Sequence, residues 1–341
     1  MRELLNTLYV QTEHTVLHLD GDAVLARCDG EPPRRAPLLR LESIVLVGHV
    51  SATTPLIHRC AADGRDIAWV TSSGRFAGRL SGPLRGNVLL RGSQWGARGD
   101  RNQRLELART IVAGKIQNAV RLGRNLARLA QDPEVVATIK ATTATLADSL
   151  LALKVATDLD QVRGIEGQAS RRSFDSLRRA MTADLSFGAR SRRPPLDPVN
   201  AVLSFLYNLA RTRVEAACEV VGLDPQVGFL HSLRPGRPAL ALDLMEELRP
   251  DIERLVLTLC NRRQLTERHF ERLAGGARQL TDLGRRTVIS TWYEQLARPV
   301  HHRVLRQQCP WGLVPNLQAT LLARYLRGDL RHYLPYVTQM E

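Results

Sequence analysis

The chain has 341 residues, enough for two domains that each bury a core, and its 44% hydrophobic and 24% charged content excludes disorder as the default. Forty-eight basic residues against 34 acidic ones leave a formal charge of +14, which points to a polyanionic partner, nucleic acid or an anionic membrane surface. Five scattered cysteines (Cys28, Cys60, Cys218, Cys260 and Cys309), none in a C-x-x-C pair, exclude a disulfide framework and a zinc knuckle by spacing.

Nearly all the basic residues are arginine, with Lys115, Lys140 and Lys154 the only lysines, so part of the charge can reflect a GC-rich genome. No apolar run approaches the length of a membrane span, and the start MRELLNTLYV lacks an apolar signal core. The expectation is a soluble, unexported, cytoplasmic protein with reduced thiols and no membrane partner.

Residues 1–85 read as a β-rich domain with one short helix. Leu8 to Gln11 and Thr15 to Leu19 are β-prone, and Asp20-Gly21-Asp22 supplies a hairpin turn before Ala23 to Arg27. Ser43 to Val47 and Asp66 to Thr71 are apolar runs of strand length, with a helix predicted over Thr54 to Ala62 and Gly64 closing it. The Gly- and Arg-rich turn chemistry of the next stretch predicts a linker over 86–99. After Asp100 the period changes to 3.6, with Leu105, Ala108, Ile111, Val112, Ile116, Val120 and Leu126 on one stripe. Helical patterns continue, the clearest starting at Asp197-Pro198 and ending at Gly222. The fold class is therefore α+β: a small β-rich amino-terminal domain followed by a large all-α domain over 100–341.

Ala239 to Pro250 (ALALDLMEELRP) is the sharpest local feature. On a helix Asp243, Glu246 and Glu247 fall at i, i+3 and i+4 and share a face, which a hard divalent cation would neutralise. From this segment alone a solvated acidic face paired with Arg249 and Arg254 is the favoured reading. His231, after Gly228-Phe229-Leu230, is placed at the rim of a packed site and suits manganese, although hydrogen-bonded core histidines are commoner. Gly164-Ile165-Glu166-Gly167 reads as a segment between two helical stretches, its glutamate either openly approachable or an exposed turn acid. Arg171 and Arg172 follow, suited to phosphate. Arg192-Arg193-Pro194-Pro195 reads as a basic loop or a DNA clamp, and His301-His302 as surface. Arg324, Tyr325, Arg327, Arg331 and Tyr333 suit a DNA or protein grip or a solvated helix face. No phosphate-binding loop and no nucleophile elbow occurs.

Glu166-Gly167 with Ala169 and Arg171, then Asp197-Pro198-x-Asn200-x-x-Leu203-Ser204-x-x-Tyr207, Gly228-Phe229-Leu230-His231 and Asp243-Leu244-Met245-Glu246-Glu247-x-Arg249-Pro250 occur in a definite order. Together with the Ala108-Arg109-x-Ile111-Val112-x-x-Lys115-Ile116-x-Asn118 helix, they resemble the CRISPR-associated integrase and endonuclease of spacer acquisition, the first-numbered protein of that system. The resemblance covers nearly the whole chain. It implies that Glu166, His231 and Glu246 are catalytic ligands of Mn2+ or Mg2+, with Asp243 a nearby catalytic acid. It implies that Asn200 and Tyr207 support or contact the reacting DNA. Where the family has a tyrosine before the phenylalanine that follows the glutamate motif, Ser173 precedes Phe174, so an aromatic DNA contact there is in doubt.

The resemblance further implies a homodimer that assembles with the small second-numbered CRISPR-associated protein and inserts short double-stranded fragments with free 3′ ends into a repeat array. A metal there would hold a phosphate oxygen and orient attack by a 3′-hydroxyl, giving joining, or by water, giving cleavage. Two other readings stand beside it: a repair nuclease of branched DNA using water, and a non-catalytic basic DNA-binding scaffold whose acids merely pair with arginines.

Overall fold

A computed structural model describes residues 2–4, 6–41, 43–70, 76–80, 87–191 and 194–338. The amino-terminal region holds β1 (Arg2–Leu4), β2 (Thr7–Val10), β3 (Val16–Asp20), β4 (Ala23–Arg27), β5 (Arg34–Pro37), β6 (Ser43–Val47), β7 (Ser51–Ala52), α1 (Thr54–Asp63), β8 (Asp66–Val70) and β9 (Phe76–Leu80). They form a five-stranded sheet in the order β1-β2-β6-β8-β9 and a four-stranded sheet in the order β5-β4-β3-β7. The predicted hairpin forms at Gly21, whose φ of 58° needs glycine, and Gly64 closes α1 at φ 72°.

Alternation decides which side chains meet. Leu8, Val10, Ile44, Leu46 and Ile67 point into a core shared with Leu17, Val24, Leu56 and Cys60. Tyr9, Val45 and Ala68, one residue out of phase, join the core of the helical region instead. Both faces of the larger sheet are thus buried, which is why SIVLV is apolar throughout.

The expected linker is largely helical: α2 spans Asn87–Gly99. Leu90, Gln94 and Ala97, at i, i+4 and i+7, are all buried, and Gln94 Nε2 donates to the carbonyls of Asp224 and Val227 at 2.9 Å. Gly92, Gly96 and Gly99 have open space around them, so their weak helix preference is overridden by packing at the other positions. Residues 81–86 and the predicted strand end Thr71 lie outside the described residues.

The helical region continues with α3 (Arg101–Leu129), α4 (Pro133–Val155), α5 (Leu159–Arg179), α6 (Pro198–Val221), α7 (Ala239–Met245) and α8 (Arg249–Asn261). Asp100, Asp132, Asp158 and Asp197 cap the starts of α3, α4, α5 and α6 with their carboxylates. The remainder is mixed: hairpin β10 (Phe270–Arg272) and β11 (Arg278–Leu280), α9 (Asp282–Ala297), hairpin β12 (Pro299–His302) and β13 (Gln307–Pro310), then α10 (Val314–Leu326). Both hairpins depart from an all-α carboxy-terminal domain, but the α+β class holds.

Two further expectations are corrected. By length and composition α4 could cross a membrane, contrary to the reading that no segment approaches that length. It is a run of Ala, Leu, Thr and Val broken by Lys140 and Asp148, and it sets Ile139, Leu146 and Leu153 against neighbouring helices. His302 is buried, not surface, with Nε2 3.1 Å from Gln318 Oε1. All five cysteines are free and all but Cys28 are buried.

Candidate active site

Three elements bring Glu166, His231 and Glu246 together. Glu166 lies inside α5, not between helices; Asp158, which accepts from the Asp160 and Gln161 amides at the start of that helix, fixes its register. Ser170, one turn later, donates to Glu166 Oε1 at 2.8 Å. From the facing α3, the buried Lys115 bonds Glu166 Oε1 and, at 2.7 Å, Glu246 Oε2. Its ammonium therefore spans the two carboxylates.

His231 is held by an arrangement with a clear sequence cause. The fully buried Asp243 accepts from the backbone amides of Phe229 (2.5 Å), Leu230 (3.0 Å) and His231 (3.0 Å). Its Oδ1 also lies 2.7 Å from His231 Nδ1. A protonated Nδ1 satisfies that contact and leaves the Nε2 lone pair facing Glu246 Oε1 at 3.9 Å. Gly228 is required for this approach: a Cβ there would lie 2.6 Å from the Ala239 carbonyl carbon and 2.8 Å from Asp243 Oδ2. Asp243 thus stands behind the histidine and positions it.

The three acids of the ALALDLMEELRP segment do not share one face. A single 3-10 turn over Glu246–Leu248 separates α7 from α8, and Pro250 opens α8 as well as closing the turn. Glu246 turns to Lys115 and to Arg249, whose Nε is 2.8 Å from Oε2. Burial raises its pKa, but Arg249, Lys115 and His231 outweigh that and hold it at about 2. Glu247 points the other way, accepting from Tyr333 Oη, the Tyr336 amide and Gln318 Nε2 at 2.7–3.0 Å. Burial pushes its carboxyl up to about 8, partly offset by those three bonds.

Tyr207 lies behind the site, where it donates to Glu253 Oε1 at 2.7 Å. The guanidinium of Arg249 sits 4.6 Å from its ring centroid and that of Arg190 at 5.6 Å. Asn200 is fully buried, accepting from Arg190 at 2.8 Å and donating to the Ala189 carbonyl at 3.0 Å and Asp197 Oδ2 at 2.6 Å. Both residues are buried and brace the site. Arg171 is exposed, while Arg172 is half-buried and directed to Ser149 Oγ at 3.5 Å. Arg192 and Arg193 lie outside the described residues. Tyr325 and Tyr333 are buried and so cannot serve as an exposed grip.

Lys115 pairs with the acids and arginines flank the histidine, neither of which the motifs indicate, whereas Arg249 pairs with Glu246 as the acidic-face reading expects. Arg104 Nε donates to the Phe229 carbonyl at 3.0 Å, and Arg163 to the Leu230 carbonyl through Nε (3.1 Å) and Nη2 (2.8 Å). Burial, then Arg98 and Arg163, lower the Arg104 pKa to about 10. A signal for Lys115 existed: it is one of three lysines in an arginine-rich chain and falls within the apolar stripe of α3.

The donor set fits a hard or borderline divalent ion: two carboxylates and an imidazole whose second nitrogen is bonded by a carboxylate. Among the described residues no three His, Cys, Asp or Glu side chains close to ligand distances of one point. The Lys115 ammonium supplies the positive charge between Glu166 and Glu246, so an incoming ion would have to move it.

The sequence profile of the family described as "CRISPR associated protein Cas1" matches residues 8–294. A curated relative from Moorella thermoacetica, "CRISPR-associated endonuclease Cas1 1", is 46% identical over 341 residues, covering 99% of both chains. The fold is similar to that of a casposase bound to its integration product, with a TM-score of 0.81 at 21% identity, covering 96% of this chain and 97% of the other. It is also similar to a chain of a partial Cas6-RT-Cas1–Cas2 complex, with a TM-score of 0.79 at 20% identity, covering 98% and 99%.

Proposed function

This chain belongs to the Cas1 family of CRISPR-associated proteins, and on that premise we propose that it is a divalent-metal-dependent endonuclease and integrase that inserts short DNA fragments into a CRISPR repeat array. The carrying observation is the convergence of His231 Nε2 and the Glu166–Lys115–Glu246 bridge on one partly exposed place between α3, α5 and the turn after α7. Glu166, His231 and Glu246 hold Mn2+ or Mg2+, and the bound ion supplies Lewis acidity at a phosphate oxygen. Asp243 fixes the imidazole, so that Nε2 rather than Nδ1 is offered. Arg249, stacked on Tyr207, keeps Glu246 ionised and oriented.

DNA is bound chiefly through phosphates, and the arginine surplus supplies that affinity. Arg98, Arg104 and Arg163 beside the histidine keep positive charge close to the reacting strand. The nucleophile is a 3′-hydroxyl in joining and water in cleavage. The working form is a cytoplasmic homodimer, and its assembly with the small Cas2 protein is supported by the Cas1–Cas2 complex of similar fold. The test is a strand-transfer assay with labelled duplex bearing free 3′ ends, supercoiled plasmid and Mn2+, with and without Cas2. Label joined to plasmid by the native protein and absent with His231→Ala is the expected result. Nicking or branched-substrate cleavage without transfer would favour the repair nuclease, and DNA binding without any product the scaffold.

A further inference from the structure

We propose that Lys115 ties metal loading to DNA binding: its ammonium occupies the place between Glu166 and Glu246 until a strand phosphate draws it away. This rests on the metal site proposed above and adds a condition on when that site fills. Within the cluster of Glu166, Lys115, Glu246 and Arg249 the charges balance in the free protein. Two carboxylates, Glu166 and Glu246, face two cations, Lys115 and Arg249, in a place where only Glu166 and His231 retain appreciable exposure, 26% and 22% of their side chains. A divalent ion added there brings two positive charges and no anion. A DNA phosphate at the opening beside Glu166 supplies the missing negative charge and an acceptor for the displaced ammonium.

The two cations differ in freedom. Arg249 is half-buried but clamped, its planar guanidinium 4.6 Å from the Tyr207 ring centroid and its Nε 2.8 Å from Glu246 Oε2. Lys115 carries a compact charge on a flexible four-carbon stem rooted in α3, so it is the one that can swing. Its departure leaves neither carboxylate without a partner: Ser170 still donates to Glu166, and Glu246 keeps its ion pair with Arg249. Lys115 is in these terms a positioning residue and a competitor of the metal. A fixed structural ion pair would have the opposite consequence, since its removal would loosen the carboxylates and weaken metal binding.

The experiment measures Mn2+ binding to the full chain by the spectroscopic signal of free Mn2+, with and without a short duplex. It compares the native protein, Lys115→Met and Lys115→Gln, with His231→Ala correcting for ions held by the DNA alone. Lys115→Gln keeps a hydrogen-bond donor and serves if the methionine variant does not fold. In the native protein the duplex should raise Mn2+ affinity by roughly tenfold or more. Without DNA both lysine variants should bind Mn2+ roughly tenfold more tightly than the native protein, and the effect of the duplex should shrink. Equal or weaker DNA-free binding by the variants, or native affinity indifferent to DNA, overturns the role of Lys115 alone. No His231-dependent Mn2+ binding in any protein overturns the metal site as well.

Discussion

Two adjacent glutamates on one turn are driven in opposite directions by their neighbours. Glu246 is held at about 2 because Arg249, Lys115 and His231 outweigh its burial. With its carboxyl below the ordinary 4.5, it contributes stability that is complete above pH 4.5 and lost as pH falls toward 2. Glu247 has no cation among its hydrogen-bonding partners, and its folded carboxyl sits at about 8. Between pH 4.5 and 8 the native state keeps a proton that the unfolded chain has released, so this group makes stability fall as pH rises through that window. Glu247→Gln should therefore flatten the decline in melting temperature between pH 5 and 8; an unchanged profile would contradict the assignment. At Gly228 a single methyl would press on the Ala239 backbone and Asp243, so Gly228→Ala should cost ~1–3 kcal/mol in denaturant unfolding. Spacing alone left open which of Asp243, Glu246 and Glu247 faces the site, and only the family resemblance singled out Glu246. The answer depends on a 3-10 turn which the spacing, read as one continuous helix, conceals.

Elements were legible where local chemistry and packing agree. The hairpin at Gly21, the helix closed by Gly64 and the helix between Asp197 and Gly222 all form, each with its turn or cap residue in the expected role. Residues 87–99 are helical despite their turn chemistry because glycines report backbone preference, while Leu90, Gln94 and Ala97 decide the outcome through distant contacts. Gln94 brackets Asp224 and Val227, just ahead of Gly228, so α2 also steadies the approach to His231. Gln94→Ala should lower stability by about 1–3 kcal/mol, because buried carbonyls and an amide lose their partner. Asn200→Ala should behave similarly, releasing Arg190 and Asp197 and raising proteolytic cutting between residues 186 and 197. Its DNA affinity should remain that of the native protein while the fold is intact. A large loss of affinity without loss of stability would restore Asn200 to the DNA surface.

At the scale of the molecule, the division into a sheet-rich start and a helical remainder followed from the change of period near Asp100 and from the ordered family motifs. How the two regions join did not. Tyr9, Val45 and Ala68 look like ordinary alternating strand residues, yet they form the sheet face that packs on the helical core. The net charge of +14 predicts DNA affinity that falls steeply as salt is raised, and His231→Ala should leave that dependence unchanged because it removes no phosphate contact. The chemistry of the site depends on where the metal sits. Crystals of the protein with duplex DNA, soaked in Mn2+ and measured for anomalous scattering, locate it directly. The predicted map has a peak in contact with His231 Nε2 and the carboxylates of Glu166 and Glu246, with Lys115 moved out from between them. A peak elsewhere, or Lys115 still bridging the two glutamates while strand transfer proceeds, would contradict it.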